Sequence, residues 1–128
     1  MNPLILSVDD EQDVTDLVRF HLTRAGCDVQ TAATGREAIS NVALRRPDLI
    51  VLDLMLQDID GFGVCEILRR DPETAMIPII ILTAWATNDA RNIGLDLGAL
   101  DYLTKPFSPK DLVERVKHLL NLRQPAPA

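Results

Sequence analysis

The chain has 128 residues, 47% of them hydrophobic and 25% charged, which is the size and composition of one globular domain with a single core. The net charge of −6 argues against broad nucleic-acid binding by this chain itself, because phosphate-backbone affinity needs clustered Lys and Arg. No apolar run approaches the roughly 20 residues of a membrane span, and no basic stretch precedes the first apolar segment, so we expect a cytoplasmic protein without a membrane anchor.

Apolar runs and amphipathic stripes alternate along the chain. Strands are predicted at residues 4–8, 28–32, 49–53, 78–83 and 101–104, and helices at 13–25, 35–46, 62–70, 88–97 and from 109 onward. The connections are only a few residues long. This alternation predicts a doubly wound α/β domain, with parallel strands, right-handed crossovers and helices on both faces of the sheet.

The third predicted strand is an unbroken apolar run that ends on an acid, Asp53. A run so rich in Leu, Ile and Val is typical of a strand that is covered on both faces. Its last residue then lies at the carboxyl edge of the sheet, where open α/β folds bind their ligands.

The other strands deliver polar residues to the same edge. Asp9 and Asp10 follow the first strand, Thr83 ends the fourth, and Lys105 follows the fifth. Each has a structural explanation as well. Asp9 and Asp10 suit the start of a helix, Thr83 suits a strand, Lys105 suits an ion pair, and Asp53 suits a turn or cap.

Three carboxylates in one place repel one another, so the cluster must take up protons or bind a cation. Oxygen ligands with room for water suit Mg²⁺, which prefers one or two carboxylates together with phosphate oxygens. Lys105 and Thr83 then offer a charge and a hydroxyl group to an anion that the metal also contacts. The residues therefore predict a site for Mg²⁺ and a phosphoryl group.

The motifs at these positions resemble the receiver domains of two-component response regulators, typified by the chemotaxis protein CheY. The resemblance extends from Leu4 to about Leu122 and rests on Val8-Asp9-Asp10-Glu11, Leu52-Asp53-Leu54-Met55, Asp60-Gly61, Leu82-Thr83-Ala84, Gly98-Ala99 and Asp101-Tyr102-Leu103-Thr104-Lys105-Pro106-Phe107. It implies a flavodoxin-like (βα)5 sheet in the order 2-1-3-4-5. We assign residues 1–122 to the receiver domain, and 123–128 to the start of a linker or a disordered tail.

Carried over to this sequence, the resemblance makes Asp53 the phosphoacceptor. Asp10 and Asp53 become Mg²⁺ ligands together with the backbone carbonyl of Met55, and Asp9 assists through water. The implied function is a phosphorylation-activated signalling switch that receives its phosphoryl group from a histidine kinase or phosphotransfer protein. On this reading the chain is not an enzyme, since it catalyses only its own phosphorylation and dephosphorylation.

The resemblance also implies how the switch responds. Lys105 holds one phosphoryl oxygen and Thr83 another, Tyr102 is the aromatic residue that turns inward as Thr83 moves, and Pro106 follows a cis peptide bond. Activated receivers often pair through their fourth helix, fifth strand and fifth helix, so we expect a homodimer on activation and no membrane partner.

Two particulars distinguish this chain from the family pattern. Gln57 stands where the family usually has proline, which makes the loop from Leu54 to Asp60 less rigid without removing a ligand. Met55 and Trp85 lie two residues after Asp53 and Thr83, where large apolar groups are expected to exclude water and slow the loss of phosphate.

Three alternatives stay open. A Mg²⁺-dependent phosphohydrolase of the haloacid-dehalogenase type also forms an aspartyl phosphate, but it needs a second acid at the position of Met55. A flavin- or nucleotide-binding module needs a glycine- or hydroxyl-rich loop where this chain has Asp9-Asp10-Glu11. The chain is also compatible with a receiver excised from a DNA-binding transcriptional regulator.

Overall fold

Strands and helices alternate through residues 2–123, the part of the chain that the computed structural model describes, with side chains described for residues 2–121. The strands are β1 (Leu4–Val8), β2 (Asp28–Ala32), β3 (Leu49–Leu52), β4 (Ile79–Thr83) and β5 (Asp101–Thr104). The helices are α1 (Gln12–Arg24), α2 (Gly35–Leu44), α3 (Gly61–Arg70), α4 (Asn88–Asp96) and α5 (Pro109–Arg123).

The strands form one parallel sheet in the order β2-β1-β3-β4-β5, which confirms the predicted fold class and strand order. Val8 is paired with Leu52 at the ends of β1 and β3, so the acids that follow them leave neighbouring strands side by side. Thr83 is paired with Thr104 at the ends of β4 and β5. The register therefore brings the predicted site residues to one edge of the sheet.

Alternate residues of the strands serve two separate cores. One core lies between the sheet and α2, α3 and α4, and includes Leu6, Val8, Ile50, Leu52, Ile79, Ile81, Ala38, Val42, Val64, Leu68 and Ala90. The other lies between the sheet and α1 and α5, and includes Ile5, Leu49, Val51, Ile80, Leu82, Val18, Leu22, Leu112, Val116 and Leu119. The unbroken apolar runs follow from this, since each central strand is covered on both faces.

The open edge of β2 is covered by polar side chains from the two neighbouring helices. Arg19 donates a hydrogen bond to the carbonyl of Val29 at 3.5 Å, and Asn41 donates one to the carbonyl of Thr31 at 3.4 Å. Glu37 accepts one from the N–H of Ala33 at 3.2 Å. Side chains thus occupy backbone groups to which another strand would otherwise bind.

Some boundaries differ from the predicted ones. β3 ends at Leu52, so Asp53 follows the strand, and α2 ends at Leu44 because the backbone turns extended at Arg45, shortly before Pro47. α5 includes Arg123, whereas the rest of the proposed 123–128 tail lies outside the described residues. None of the helices within residues 2–123 has the length and apolar character needed to cross a membrane.

Candidate functional site

Four acids meet at the carboxyl edge of the sheet. Asp9, Asp10, Glu11 and Asp53 each present a carboxylate oxygen, and these oxygens all lie within 4.8 Å of one another. Asp9 and Asp53 are buried, with 4% and 3% of their surface exposed, whereas Asp10 and Glu11 face solvent. Two buried carboxylates thus form the inner part of the site, and two exposed carboxylates form its outer part.

Backbone hydrogen bonds fix the two buried acids. Asp9 accepts one from the N–H of Glu11 at 2.9 Å, and Asp53 accepts one from the N–H of Met55 at 3.2 Å. The loop after Asp53 returns close to its own start, because the N–H of Gly61 donates to the carbonyl of Leu54 at 3.0 Å. A Cβ atom at residue 61 would lie 2.7 Å from the Cα of Leu54, so this return requires glycine.

Lys105 reaches into the acidic cluster from the end of β5. Its Nζ lies 2.7 Å from Asp9, 3.1 Å from Asp53 and 3.2 Å from Glu11, and 12% of its side chain is exposed. The N–H of Lys105 donates to the carbonyl of Thr83 at 2.8 Å, which continues the strand pairing to this residue. The cis peptide bond between Lys105 and Pro106 is present, as the resemblance implied.

Burial and charge act in opposite directions on these groups. Burial alone would lower the pKa of Lys105, but the hydrogen bonds and charges of Asp9 and Asp53 outweigh it and raise that pKa. Burial also raises the pKa of Asp9, and the charge of Asp53 adds to this effect, although Lys105 opposes it. One ammonium group therefore keeps its proton without fully neutralising the acids that surround it.

Beside the acids lies a neutral part of the site, built from two hydroxyl groups. Thr83 is fully buried, and its Oγ1 accepts a hydrogen bond from the N–H of Trp85 at 3.3 Å. Tyr102 points inward with 6% of its surface exposed, and its hydroxyl donates to the carbonyl of Trp85. Burial raises the pKa of Tyr102, so the hydroxyl stays protonated. Both hydroxyl groups thus contact the backbone of the same residue.

An apolar groove opens next to the acids. It is lined by Leu54, Met55, Leu56, Gln57, Asp60, Ala84 and Trp85. The side chains of Met55 and Trp85 are 58% and 43% exposed, and the Trp85 ring lies 5.7 Å from the ring of Phe62. Large apolar side chains therefore line a groove that is formed by residues following Asp53 and Thr83 in the chain.

The structure brings together most of the predicted site residues. Asp9, Asp10, Asp53 and Lys105 share one cluster, and the backbone of Met55 lies against Asp53. Glu11 was not predicted as a site residue, although its place in the run of three acids was the available signal. Its contact with Lys105 joins residues 94 positions apart, which no local pattern shows.

The oxygen-only donor set fits the metal that was predicted. Two buried carboxylates and two exposed ones, all within 4.8 Å, match the hard ligands of Mg²⁺ and leave room for water. Neither cysteine belongs to this cluster, since both are buried in the cores, where burial raises the pKa of Cys65 to about 11.

A family model described as the response regulator receiver domain matches residues 5–117. The chain belongs to this family. Receiver domains are signalling switches and not enzymes in the ordinary sense, they bind Mg²⁺ at an acidic pocket, and they interact with histidine kinases or phosphotransfer proteins. The resemblance noted in the sequence is thereby confirmed.

Curated relatives are longer than this receiver domain. It is 48% identical over 120 residues to the alkaline phosphatase synthesis transcriptional regulatory protein PhoP of Bacillus subtilis, covering 94% of this chain and 49% of that protein. It is 48% identical over 118 residues to the DNA-binding dual master transcriptional regulator RpaA of Synechocystis, covering 92% and 49%. The chain thus spans about half the length of these relatives.

Solved structures of similar length share the whole fold. The receiver domain of the Francisella response regulator 1452 superposes with a TM-score of 0.89 at 33% identity, covering 96% of this chain and all of that one. The chemotaxis response regulator CheY4 of Vibrio cholerae gives a TM-score of 0.87 at 30% identity, covering 93% and 99%. The fold of the receiver domain is therefore shared across its length.

Proposed function

We propose that this receiver domain accepts a phosphoryl group on Asp53 from a histidine kinase or phosphotransfer protein, with Mg²⁺ as cofactor. The observation that supports it most is the position of Asp53, which is buried, lies 3.1 Å from Lys105 and belongs to a cluster of oxygen ligands. A carboxylate in such a place is both a nucleophile and a metal ligand.

The transfer needs positioning and charge neutralisation more than further covalent chemistry. A carboxylate oxygen of Asp53 attacks phosphorus, the bond from phosphorus to the donor histidine nitrogen breaks, and an acyl phosphate results. Asp10, Asp53 and the Met55 carbonyl would hold Mg²⁺, with Asp9 acting through water, and the ion would neutralise charge on the phosphoryl oxygens. Lys105 leaves the acids in part to bind one of those oxygens.

The hydroxyl part of the site would carry the response. Thr83 gives up its bond to the N–H of Trp85 and binds a phosphoryl oxygen, and the loop after β4 moves with it. Tyr102 already lies inward in this structure, and its hydroxyl contact with the Trp85 carbonyl would couple its position to that loop. A charge added at Asp53 thus shifts the equilibrium between two arrangements of β4, β5 and the loop.

Pairing of two activated copies is the proposed output. Helix α4 exposes the side chain of Leu95, and Arg115 of α5 makes ion pairs with Asp101 of β5 and with Asp111 of α5. Exchange of such ion pairs between copies would link the dimer to the position of Tyr102. Equal sedimentation with and without a phosphoryl mimic would contradict this output.

Participation in transcription control is a second proposal, which the relatives favour. Both curated relatives above are named as transcriptional regulators, and this chain matches half of each. We propose that the receiver domain serves as the regulatory part of such a protein. Reading the coding frame after Ala128 tests this proposal, because the frame either continues into a DNA-binding domain or stops.

Intact mass tests the phosphorylation itself. After incubation with a small-molecule phosphodonor and Mg²⁺, we expect the parent chain and the Asp96→Asn control to gain the mass of one phosphoryl group, and Asp53→Asn to gain none. The control removes an exposed acid at the end of α4. A full mass gain by Asp53→Asn would assign the acceptor to another residue.

The same reaction separates a switch from a phosphohydrolase. With Met55 where the phosphohydrolase has its second acid, we expect slow release of phosphate limited by decay of the phosphorylated chain. Rapid release over many turnovers of the phosphodonor would favour the phosphohydrolase instead.

A further inference from the structure

One carboxylate ties the loop at residues 54–60 to the beginning of α2. Asp58 accepts hydrogen bonds from the N–H groups of Gly35 at 2.8 Å and Arg36 at 3.0 Å. Within residues 2–123, these are the hydrogen bonds that join the loop to α2. The segment that follows Asp53 is therefore attached to a helix that contributes no residue to the acidic cluster.

Asp58 completes the cap of α2. The first N–H groups of a helix have no partner within it, and Thr34 satisfies only that of Glu37, at 3.1 Å. Asp58 satisfies the two that precede it. Hydrogen bonds from backbone N–H groups lower the pKa of Asp58 to about 2, and the N–H of Ile59 has the largest effect. The carboxylate is therefore charged at neutral pH.

Close packing supports the same attachment. A Cβ atom at residue 35 would lie 2.5 Å from the carbonyl oxygen of Ile59 and 2.9 Å from its Cβ. Only glycine allows the backbone of the loop to approach α2 so closely. Any larger residue at position 35 therefore has to push the loop away from the helix.

The other end of this loop lies at the metal site. The N–H of Met55 donates to a carboxylate oxygen of Asp53 at 3.2 Å. Because residue 57 is Gln, the backbone there retains the conformational freedom that a proline would remove. Contacts with other parts of the chain therefore have to hold the loop in place. Asp58 provides such a contact three residues after Met55.

We propose that Asp58 is a positioning residue for the metal site, holding the 54–60 loop on α2 so that the backbone of Met55 stays beside Asp53. The inference rests on the proposed function, in which the Met55 carbonyl is a ligand of Mg²⁺. Coupling between two sites is reciprocal, so a bound cation also stabilises the beginning of α2.

Calorimetric titration of the full chain with MgCl₂ measures the effect. We expect Asp58→Asn to weaken Mg²⁺ binding about tenfold, the usual loss when a group that orients a ligand is removed. Asp58→Glu keeps the charge but misplaces it, so it should also weaken binding. Gly35→Ala displaces the loop without changing any charge and should act in the same direction.

A matched control separates position from charge. Asp16 is an exposed acid in the cleft that Asp9 and Asp10 also line. Asp16→Asn should weaken Mg²⁺ binding only at low salt, because the Debye length falls to about 3 Å at about 1 M salt. The losses in Asp58→Glu and Gly35→Ala should persist at high salt.

Amide exchange gives a readout that is independent of affinity. In the parent chain, Mg²⁺ should slow exchange of the Gly35 and Arg36 amides, which are bonded to Asp58. In Asp58→Asn, saturating Mg²⁺ should leave exchange of the Arg36 amide unchanged, since an Asn side chain has only one acceptor oxygen.

The outcomes distinguish this inference from the proposed function. Parent-like affinity in Asp58→Glu and Gly35→Ala would overturn the role of Asp58, as would losses that vanish at high salt. A parent-like effect of Mg²⁺ on the Arg36 amide in Asp58→Asn would overturn it as well. Phosphorylation of Asp53, measured by intact mass, would stand in each case. Absence of Mg²⁺ binding by the parent chain would overturn both.

Discussion

The charged part of the site and its hydroxyl part lie side by side but are held in different ways. Around Lys105, Asp9 and Asp53 are buried and bonded at 2.7 and 3.1 Å. The Thr83 hydroxyl makes one longer hydrogen bond, at 3.3 Å, the Tyr102 hydroxyl contacts the same residue, Trp85, and residues 84–89 are all exposed. The chemistry of phosphorylation therefore depends on a buried, preorganised cluster, whereas the response depends on an exposed loop that two hydroxyl groups contact.

This difference implies that the two functions separate under mutation. Changes in the charged part should affect stability and cation binding, and changes in the hydroxyl part should affect the response while leaving phosphorylation in place.

Replacement of Lys105 should be the most costly change. Lys105→Met leaves two buried carboxylates without their cation, and we expect a loss of about 3 kcal/mol in the free energy of unfolding without Mg²⁺. Mg²⁺ should restore much of the lost free energy of unfolding, because the bound cation then neutralises the same two acids. Urea unfolding with and without Mg²⁺ measures both effects.

Lys117→Met is the control for this change, since Lys117 is exposed on α5. Its effect should stay within about 0.5 kcal/mol, as for most surface substitutions. If Lys105→Met were no more harmful than this control, the charged part would not be the rigid part of the site.

Removal of the Thr83 hydroxyl should weaken the response without preventing phosphorylation. A hydrogen bond is worth about 1 kcal/mol, so Thr83→Ala should shift the equilibrium between the two arrangements about fivefold. Fluorescence of Trp85, the only tryptophan, reports the shift, and intact mass reports phosphorylation. Thr83→Ser should recover the signal, and an unchanged signal in Thr83→Ala would place the sensor elsewhere.

Stability without Mg²⁺ should depend on pH through Asp9. Its pKa is raised above the ordinary 3.8, chiefly by burial, so the folded chain binds this proton more tightly than the unfolded chain. The contribution of Asp9 to stability is complete below pH 3.8 and is lost as the pH rises through the raised pKa of the folded chain. Asp9→Asn removes this dependence.

We expect Asp9→Asn to raise Tm by about 3 °C at neutral pH in the presence of a chelator. Below pH 3.8, the Tm of this variant should not exceed that of the parent chain. Differential scanning calorimetry across pH tests this. A Tm below that of the parent at neutral pH would show that the contact with Lys105 outweighs the burial of Asp9.

The smallest effect should come from the apolar groove. Trp85→Ala and Met55→Ala open the groove beside Asp53 to water, and we expect the phosphorylated chain to decay about threefold faster, a change of under about 1 kcal/mol in the barrier. Mass spectrometry over time follows the decay. Met76→Ala, which removes an exposed methionine on another loop, should decay like the parent.

The fold was predictable because its local patterns agree with one another. Five apolar runs and five amphipathic stripes alternate, and parallel strands have to bring their ends to one edge, so Asp53 and Lys105 meet although 52 positions separate them. Exact helix ends were less predictable, since α2 ended two residues early at Leu44.

Contacts between segments far apart in the chain could not be predicted from the sequence. Asp58 lies in a polar turn whose composition fits any short connection, and nothing near it indicates a bond to Gly35, 23 positions away. Arg69, in the last turn of α3, is a second example. In the structure it donates to the carbonyls of Ala75, Ile77 and Gly98, so it joins three segments that no periodicity links.

The covered edge of β2 determines how copies of this chain can associate. With Arg19, Glu37 and Asn41 occupying its backbone groups, the sheet does not offer β2 as a template for the growth of fibrils. We expect the chain to resist cross-β aggregation at this edge, even at high concentration. Self-association then has to use other surfaces, such as the face of α4, β5 and α5.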